Sequence, residues 1–329
     1  MSEVLVEVKN LVKHFAMEHD FFGRPTQFLK AVDDVSFSVN KREAFGLVGE
    51  SGCGKTTIGK MLVNLYEPTK GQIIFEGTDL TALSAAKRRE YCKDIQLVFQ
   101  DPYASLNPRM TVGDIIAEPI LINKLLPKDQ IEKRVTYLLN CVGLANHQRN
   151  RYPHEFSGGQ RQRVGIARAL AVEPKLIVCD EPVSALDVSI QAQVLNLLDE
   201  LKEEFGLTYI FIAHGLNVVK HISDRIGVMY LGKLVEVAPK KELFSNPLHP
   251  YTRALLSAIP SVDPSKKKQR IILSGDVPSP INLPDGCRFC SRCNDKMNNC
   301  DNQEPILQEV SPGHFVSCFL YKNSVCLTK

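Results

Sequence analysis

Residues 49–56 (GESGCGKT) constrain the fold of this chain more than any other segment, because they match the phosphate-binding pattern G-x-x-x-x-G-K-[ST]. The apolar residues 44–48 before the loop are typical of a buried strand, and residues 58–65 after it have a helical apolar period. The glycines let backbone N–H groups converge on phosphate oxygens, while the lysine adds positive charge and the hydroxyl can hold Mg²⁺. The segment therefore predicts an α/β fold that binds a nucleoside triphosphate.

The composition sets limits on the kind of protein. With 329 residues, 44% of them hydrophobic and 23% charged, the chain has room for one large core and a smaller appended domain. No run of 18 uncharged apolar residues occurs, and the N-terminal MSEVLVEVKN does not resemble a signal peptide, so we expect a cytosolic protein. The formal net charge of +3 gives no electrostatic reason to expect a nucleic-acid partner.

Apolar patterns along the chain predict its organisation. Alternation up to about residue 77 indicates antiparallel strands, and residues 102–165 indicate a helical subdomain with helices separated by Pro108, Pro119 and Pro127. Further on, strands at 176–181 and 209–213 enclose a helix over 190–205, which favours a mainly parallel sheet. The alternation of predicted strands and helices ends after residue 245. We therefore expect a nucleotide-binding domain over 1–245 and an extension over 246–329.

Two adjacent acids end the predicted strand 176–181, at the sheet edge where open α/β sheets place their ligand site. In that position Asp180 would hold Mg²⁺, directly or through water, and Glu181 would act as general base on the attacking water. The alternative is that the acids only cap the turn from strand to helix.

A serine and two glycines open a predicted helix at Ser157, within the sequence FSGGQRQR. Bare backbone amides at a helix N-terminus form a second anion site on the same chain. Two phosphate-binding segments in one chain suggest a composite site across a dimer, although the segment taken alone favours an ordinary capped helix.

The motifs ESGCGKTT, FSGGQRQR, LIVCDEP and SALD together resemble the ATP-binding subunits of ATP-binding cassette (ABC) transporters, over roughly residues 4–260. The resemblance implies an α/β P-loop NTPase core with a parallel sheet, an antiparallel β subdomain and a helical subdomain, plus a small cysteine-rich C-terminal domain. It implies Mg²⁺ at Thr56, Gln100 and Asp180, and catalysis by Glu181, His214 and Gln100. The implied nucleotide-binding residues are Phe15, Gly49, Glu50, Ser51, Gly52, Cys53, Gly54, Lys55, Thr56, Thr57, Ser157, Gly158, Gly159, Gln160 and Asp187.

Three of these assignments have features of their own. Phe15 is the candidate for stacking on adenine, with plain core packing as the alternative. His214 would contact the γ-phosphate, but Gly215 follows it where the family usually has aspartate, so the local geometry of this switch is open. Asp187 would contact the opposing subunit.

The segment NPLHPYTRAL at 246–255 narrows the resemblance to oligopeptide and dipeptide permeases, and most to their F subunits. Such a subunit lies on the cytoplasmic face of the membrane and pairs with a related ATPase subunit beneath two membrane-spanning permease subunits. An external peptide-binding protein supplies the peptide. Residues 101–108 would receive the coupling helices of the permeases.

Ten cysteines in a reducing compartment argue against a disulfide framework, and those in the tail predict metal or iron–sulfur ligation. Their spacing alone does not choose between a [4Fe–4S] cluster and Zn²⁺, and unliganded thiols remain an alternative. The permease resemblance implies a [4Fe–4S] cluster, with Zn²⁺ as the alternative, and a structural role, with redox sensing also open. The implied ligands are Cys287, Cys293, Cys300 and Cys318, with Cys290 as a spare.

The sequence as a whole predicts an ATPase that uses ATP and Mg²⁺ to drive peptide uptake. Three alternatives remain. They are an importer ATPase for another solute such as nickel or an oligosaccharide, a soluble ABC ATPase acting on nucleic acid, and a cassette protein of iron–sulfur assembly. The near-neutral charge and the single cassette disfavour the nucleic-acid alternative.

Overall fold

The computed structural model describes residues 3–19, 25–259, 270–273, 275, 278–281 and 283–321. Within these residues no helix combines the length and apolarity needed to cross a bilayer. The described chain forms two sheets, one antiparallel and one mixed, with helices against the larger one.

The smaller sheet is the predicted antiparallel β subdomain. Its strands are β1 (Val4–His19), β2 (Pro25–Asn40), β4 (Lys70–Phe75) and β5 (Thr78–Asp79), in the order β2-β1-β4-β5. Alternation along β1 buries Val6 and Val8, because successive side chains of a strand point to opposite faces. These side chains share one apolar cluster with Ile58 after the phosphate loop, so the small sheet packs beside the loop.

The larger sheet has eight strands in the order β11-β12-β10-β9-β3-β8-β7-β6. Its five parallel strands are β6 (Ile95–Val98), β7 (Leu176–Asp180), β8 (Thr208–Ala213), β3 (Ala44–Val48) and β9 (Arg225–Tyr230). Strands β3, β7 and β8 are buried along their whole length, which explains their unbroken apolar sequences. The predicted parallel sheet is therefore present, but the complete sheet is mixed.

Helices cover this sheet and form the region predicted to be helical. They are α1 (Lys55–Leu62), α2 (Ala85–Glu90), α3 (Val112–Ile122), α4 (Lys128–Cys141), α5 (Gly158–Leu170), α6 (Val188–Phe205), α7 (Leu216–Ile222), α8 (Lys240–Ser245) and α9 (Pro250–Ser257). The prediction that Pro119 separates two helices is wrong, because it lies inside α3. Proline removes one helical hydrogen bond. The buried side chains of Ile115, Ile116 and Ile120 pack in the core on both sides of this position, and this packing stabilises the continuous helix.

The cysteine-rich tail does not form a sheet of its own. Its strands β11 (Gln308–Ser311) and β12 (His314–Val316) extend the larger sheet, where β12 pairs antiparallel with β10 (Lys233–Pro239). The prediction of a separate small C-terminal domain is therefore not supported. The physical reason is that β10 offers unpaired backbone groups at the sheet edge, and the tail satisfies them.

Candidate nucleotide-binding and hydrolytic site

An open cleft of about 310 Å³ lies at the carboxyl ends of strands β3, β6, β7 and β8. Open α/β sheets bind their ligands at this edge. The cleft is lined by Phe15, Leu29, Ala31, Ser51, Gly52, Gly54, Lys55, Thr56, Thr57, Gln100, Glu181 and His214. Sequence motifs more than 150 residues apart thus meet in one place.

The phosphate loop needs glycine at particular positions for steric reasons. Gly54, the N-cap of α1, has φ 104°, and a Cβ there would lie 2.1 Å from the carbonyl oxygen of Ala31. Gly49 has φ 155°, and a Cβ there would lie 2.2 Å from the carbonyl oxygen of Met229. A nucleotide phosphate fits this cradle, because the bare loop leaves backbone amides accessible at the start of α1.

The loop lysine is held inside the cleft by backbone carbonyls. The Lys55 ammonium donates to the carbonyl oxygens of Gly49 at 2.7 Å and Glu50 at 3.0 Å, and the residue is only 3% exposed. This arrangement fixes the positive charge where a phosphate would meet the loop.

Oxygen ligands suited to Mg²⁺ lie beside the lysine. The Thr56 hydroxyl donates to Asp180 Oδ1 at 2.9 Å. Burial raises the pKa of Asp180, while the hydrogen bond from Thr56 lowers it. Hydroxyl and carboxylate oxygens are the hard donors that Mg²⁺ prefers, so this pair fits the metal.

Glu181 is the most constrained acid in the cleft. Gln100 Nε2 donates to Glu181 Oε2 at 2.8 Å, and His214 Nε2 lies 2.7 Å from Glu181 Oε1. The residue is 5% exposed and has φ 49°, a left-handed conformation that non-glycine residues rarely adopt. A hydrogen bond from its N–H to the carbonyl of Ile212 holds this backbone in place. Such strain at a cleft is typical of functional sites.

Phe15 lies at the rim of the cleft formed by the small sheet, next to Leu29 and Ala31. Its ring contacts Tyr66 edge-on at 5.6 Å, and the Lys13 ammonium lies 5.0 Å from its centroid. The Phe15 ring therefore packs against Tyr66 and also lines the cleft.

The Ser157 segment and Asp187 do not line this cleft. Ser157 caps α5, accepting a hydrogen bond from the Gln160 N–H at 3.3 Å while the Gln160 side chain accepts from the Ser157 N–H at 3.0 Å. Gly159 packs so closely that a Cβ would lie 2.5 Å from Ile190 Cγ2. The exposed Asp187 begins α6 on the same side. The Ser157 segment and Asp187 are therefore separate from the residues that line the cleft.

Three phosphate-loop residues of the predicted nucleotide-binding set, Gly49, Glu50 and Cys53, do not line the cleft. Glu50 forms an ion pair with Arg292 at 2.9 Å, and its backbone N–H donates to the Tyr251 hydroxyl at 2.9 Å. Cys53 is 3% exposed, and burial raises the pKa of its thiol. Arg292 and Tyr251 were not predicted, because nothing in the sequence near them indicates contact with a loop 200 residues earlier.

The five tail cysteines of the described residues gather around one pocket. They are Cys287, Cys290, Cys293, Cys300 and Cys318, whereas Cys326 lies outside the described residues. Burial raises the pKa of Cys287 to about 12 and that of Cys318 to about 11. Within the described ranges, no group of three or more His, Cys, Asp or Glu side chains is arranged to hold a metal ion. The predicted [4Fe–4S] cluster and its Zn²⁺ alternative are therefore not supported, and the ligand set stays a prediction.

Comparison with known proteins identifies the family. A model described as "ABC transporter" matches residues 32–184, and one described as "Oligopeptide/dipeptide transporter, C-terminal region" matches residues 235–300. The oligopeptide transport ATP-binding protein AppF of Bacillus subtilis (strain 168) is 54% identical over 323 residues, or 97% of this chain and 98% of AppF. This chain belongs to the ATP-binding subunits of oligopeptide ABC transporters. OppF of Haemophilus influenzae is 52% identical, covering 96% of this chain and 97% of OppF.

Solved structures agree with this ABC ATPase assignment. The ATP-binding cassette MJ0796, in a dimeric post-hydrolysis state bound to ADP and Pi, matches with a TM-score of 0.64 and 28% identity, covering 72% of this chain and 99% of MJ0796. CbiO1 from Clostridium perfringens, part of the cbiONQ transporter complex, matches with a TM-score of 0.64 and 27% identity, covering 74% and 92%. The predicted ABC ATPase fold is therefore confirmed, and the chain is an ATP-hydrolysing transport enzyme.

Proposed function

We propose that this ABC ATPase hydrolyses MgATP at a site shared with a related ATPase subunit, and thereby energises the uptake of oligopeptides. The observation that carries the proposal is the buried Glu181 carboxylate, held by Gln100 and His214 beside Thr56 and Asp180. A carboxylate fixed at both oxygens is suited to orient the attacking water and accept its proton.

The residues of the cleft have different roles in the proposed hydrolysis. Lys55 and the loop amides bind and orient the phosphates, and Phe15 supports the adenine. Mg²⁺, when bound through Thr56 and Asp180, supplies charge that stabilises the transferring phosphoryl group. Gln100 and His214 keep the Glu181 carboxylate aimed into the cleft, so the catalysis is mainly positioning and electrostatics.

A partner subunit completes the site in this proposal. Ser157 and Asp187 lie outside the cleft of their own chain, and the bare helix end at Gly158 and Gly159 is a device for a phosphate held by another chain. The dimeric state of the MJ0796 cassette supports this arrangement. We propose a related ATPase subunit as the partner, so that the two chains form a heterodimer.

The membrane partners are proposed from the family and from exposed apolar side chains. Tyr103 within residues 101–108 is 57% exposed, and Leu121 and Ile122 at the end of α3 are 49% and 71% exposed. Apolar side chains left exposed at these positions are available to contact a partner, and the family of the chain supplies the expectation that the partner is a permease subunit. We propose that two permease subunits dock here, which places the chain on the cytoplasmic face of the membrane, and that an external binding protein delivers the peptide.

Oligopeptides are proposed as the solute because the relatives are named for oligopeptide transport and match almost the whole chain. Nickel and oligosaccharide import remain the alternatives, since the solute is chosen by other chains. ATP and Mg²⁺ are the proposed cofactors. The [4Fe–4S] cluster is not part of the proposal, because the described cysteines are not arranged to hold a metal ion.

Substitution of Glu181 by glutamine tests the hydrolytic role. We expect Glu181→Gln to bind ATP with an affinity within about twofold of wild type, while turnover in the assembled transporter falls by about 10²–10⁴-fold because the base is lost. The control is Glu173→Gln, at an exposed glutamate that also has a left-handed backbone, φ 53°, but lies outside the cleft. Its turnover should stay at the wild-type level. Undiminished hydrolysis by Glu181→Gln would remove Glu181 from the proposed role.

A further inference from the structure

The C-terminal extension contacts the phosphate loop directly. A short 3₁₀ turn, Cys290–Arg292, lies against the loop, and Arg292 Nη1 pairs with Glu50 Oε2 at 2.9 Å. The Arg292 side chain is only 10% exposed, and its guanidinium lies 6.0 Å from the ring centroid of Tyr230. The Glu50 side chain is 28% exposed, so the ion pair is partly shielded from solvent, more than a fully exposed surface pair.

A second contact holds the backbone of the same loop residue. The Tyr251 hydroxyl accepts the Glu50 N–H at 2.9 Å, and Tyr251 is fully buried in α9. Its ring packs against Tyr230 at 4.8 Å and Phe289 at 5.4 Å. The extension thus fixes both the side chain and the backbone of Glu50 from a rigid aromatic cluster.

A third set of contacts holds the other side of the loop. The Cys53 carbonyl accepts the Gly232 N–H at 3.0 Å, and the neighbouring Leu231 carbonyl accepts a hydrogen bond from Arg288. Arg288 also pairs with Asp33. The two arginines that flank Cys290 therefore support the loop at Glu50 and at Cys53, one directly and one through residues 231–232.

The residue that these contacts fix, Glu50, also contacts the phosphate-loop lysine, Lys55. The Lys55 ammonium is held by the carbonyl oxygens of Gly49 and Glu50, and Glu50 is the residue fixed by Arg292 and Tyr251. A shift of Glu50 would move one of the two carbonyls that position the lysine. The position of Glu50 in the phosphate loop is therefore held by the Arg292 guanidinium and the Tyr251 hydroxyl, which both belong to the C-terminal extension.

We propose that Arg292 and Tyr251 are positioning residues of the ATP site, through which the C-terminal extension sets the affinity of the phosphate loop for the nucleotide. The inference rests on the proposed binding of MgATP in the cleft. It extends that proposal by assigning the extension a role at the site, independent of any metal ligation by its cysteines.

Neutral variants of the ion pair test this role in the full chain. We expect Arg292→Gln to raise the Kd for ATP about tenfold, and Glu50→Gln to do the same, because each leaves its partner unpaired. The double variant should lose no more than either single variant, since both remove one interaction. Arg292→Lys, which keeps a point charge, should recover part of the affinity, and Tyr251→Phe should raise the Kd about threefold.

The matched control is Arg253→Gln, in the same C-terminal extension. Arg253 donates to the Tyr321 hydroxyl at 2.7 Å and to the Pro247 carbonyl at 3.1 Å, and it pairs with Asp295 at 3.7 Å. Among the described residues, these partners all lie outside the phosphate loop. Its ATP affinity should remain that of wild type. In the assembled transporter, Arg292→Gln should raise KM for ATP about tenfold and leave kcat within twofold, a split that general destabilisation would not produce.

Three outcomes overturn the inference. The first is an unchanged ATP affinity in Arg292→Gln and Glu50→Gln. The second is an equal loss of affinity in Arg253→Gln, and the third is additive losses in the double variant. The Glu181→Gln variant separates this failure from failure of the proposed function. If it loses hydrolysis while the Arg292 variants bind ATP normally, the hydrolytic site stands and the positioning role does not.

Discussion

At the scale of single residues, His249 shows how burial sets the response to acid. The side chain is 1% exposed, and burial lowers its pKa to about 4, against the opposing effect of Glu236. In the unfolded chain the imidazole takes up a proton near pH 6.5, whereas the folded chain resists protonation down to about pH 4. Stability is therefore retained above pH 6.5 and lost as the pH falls from 6.5 to 4.

This difference predicts a loss of about 2 kcal/mol in the free energy of unfolding between pH 7 and pH 5 from His249 alone. His249 Nδ1 also accepts the Tyr251 N–H at 3.1 Å as the N-cap of α9. Asparagine is a good N-cap without a titrating group, so His249→Asn should keep the cap and lose this part of the pH dependence. Denaturant unfolding at both pH values measures it. An undiminished slope in His249→Asn would assign the acid sensitivity to other groups.

Single residues also show which parts of the site the sequence could predict. The sequence predicts Lys55, Thr56, Asp180 and Glu181 because each follows directly from a short motif or a strand end, and the strands bring them to one edge. His214 was expected from the resemblance to the ABC family. The ion pair between Glu50 and Arg292 joins residues 242 positions apart, and no local pattern indicates that they meet. Glu50 was therefore assigned to the nucleotide, although its side chain turns to the extension.

At the scale of elements, the N-terminus of α5 combines a structural and a functional role. The reciprocal hydrogen bonds between Ser157 and Gln160 form a capping box, which satisfies helix N–H groups that otherwise lack partners. The same helix end, with Gly158 and Gly159, is the proposed contact to the partner's phosphate.

Two substitutions of Ser157 separate these roles. Ser157→Ala removes the cap and should lower the free energy of unfolding by about 1 kcal/mol. Ser157→Asp keeps an N-cap acceptor and should melt like wild type, but its negative charge at the proposed phosphate contact should lower turnover at least tenfold. Thermal melts and steady-state ATPase assays with the partner subunits measure both effects. Wild-type turnover in Ser157→Asp would argue against a phosphate at this helix end.

Strands differ in how accurately their positions can be predicted from local sequence. Strands β3, β7 and β8 were predicted almost to the residue, because they are buried on both faces and carry unbroken apolar runs. Strands β11 and β12 are short, and the sequence QEVS of β11 has no strong alternation. They form because β10 provides a template, which is information that local sequence does not contain.

At the scale of the whole molecule, the extension and the ATPase core share a buried polar centre. Glu236 on β10 is fully buried and accepts the N–H groups of Leu248 at 2.8 Å and His249 at 2.9 Å. His314 on β12, also fully buried, lies 2.8 Å from Glu236 Oε1. All of these partners come from residues beyond 245, so the boundary predicted at that position divides this centre.

A chain truncated after Ser245 should therefore not behave as an independent domain. It would lose all the hydrogen-bond partners that the Glu236 carboxylate has among the described residues, and it would expose the edge of β10. We expect this 1–245 fragment to aggregate, or to melt at least about 10 °C below the full chain.

A 1–321 fragment, which keeps all these contacts, is the control and should match the full chain. Light scattering and calorimetry measure both fragments, and a monomeric 1–245 fragment with full-length melting behaviour and ATP affinity would show that the extension is dispensable for the core.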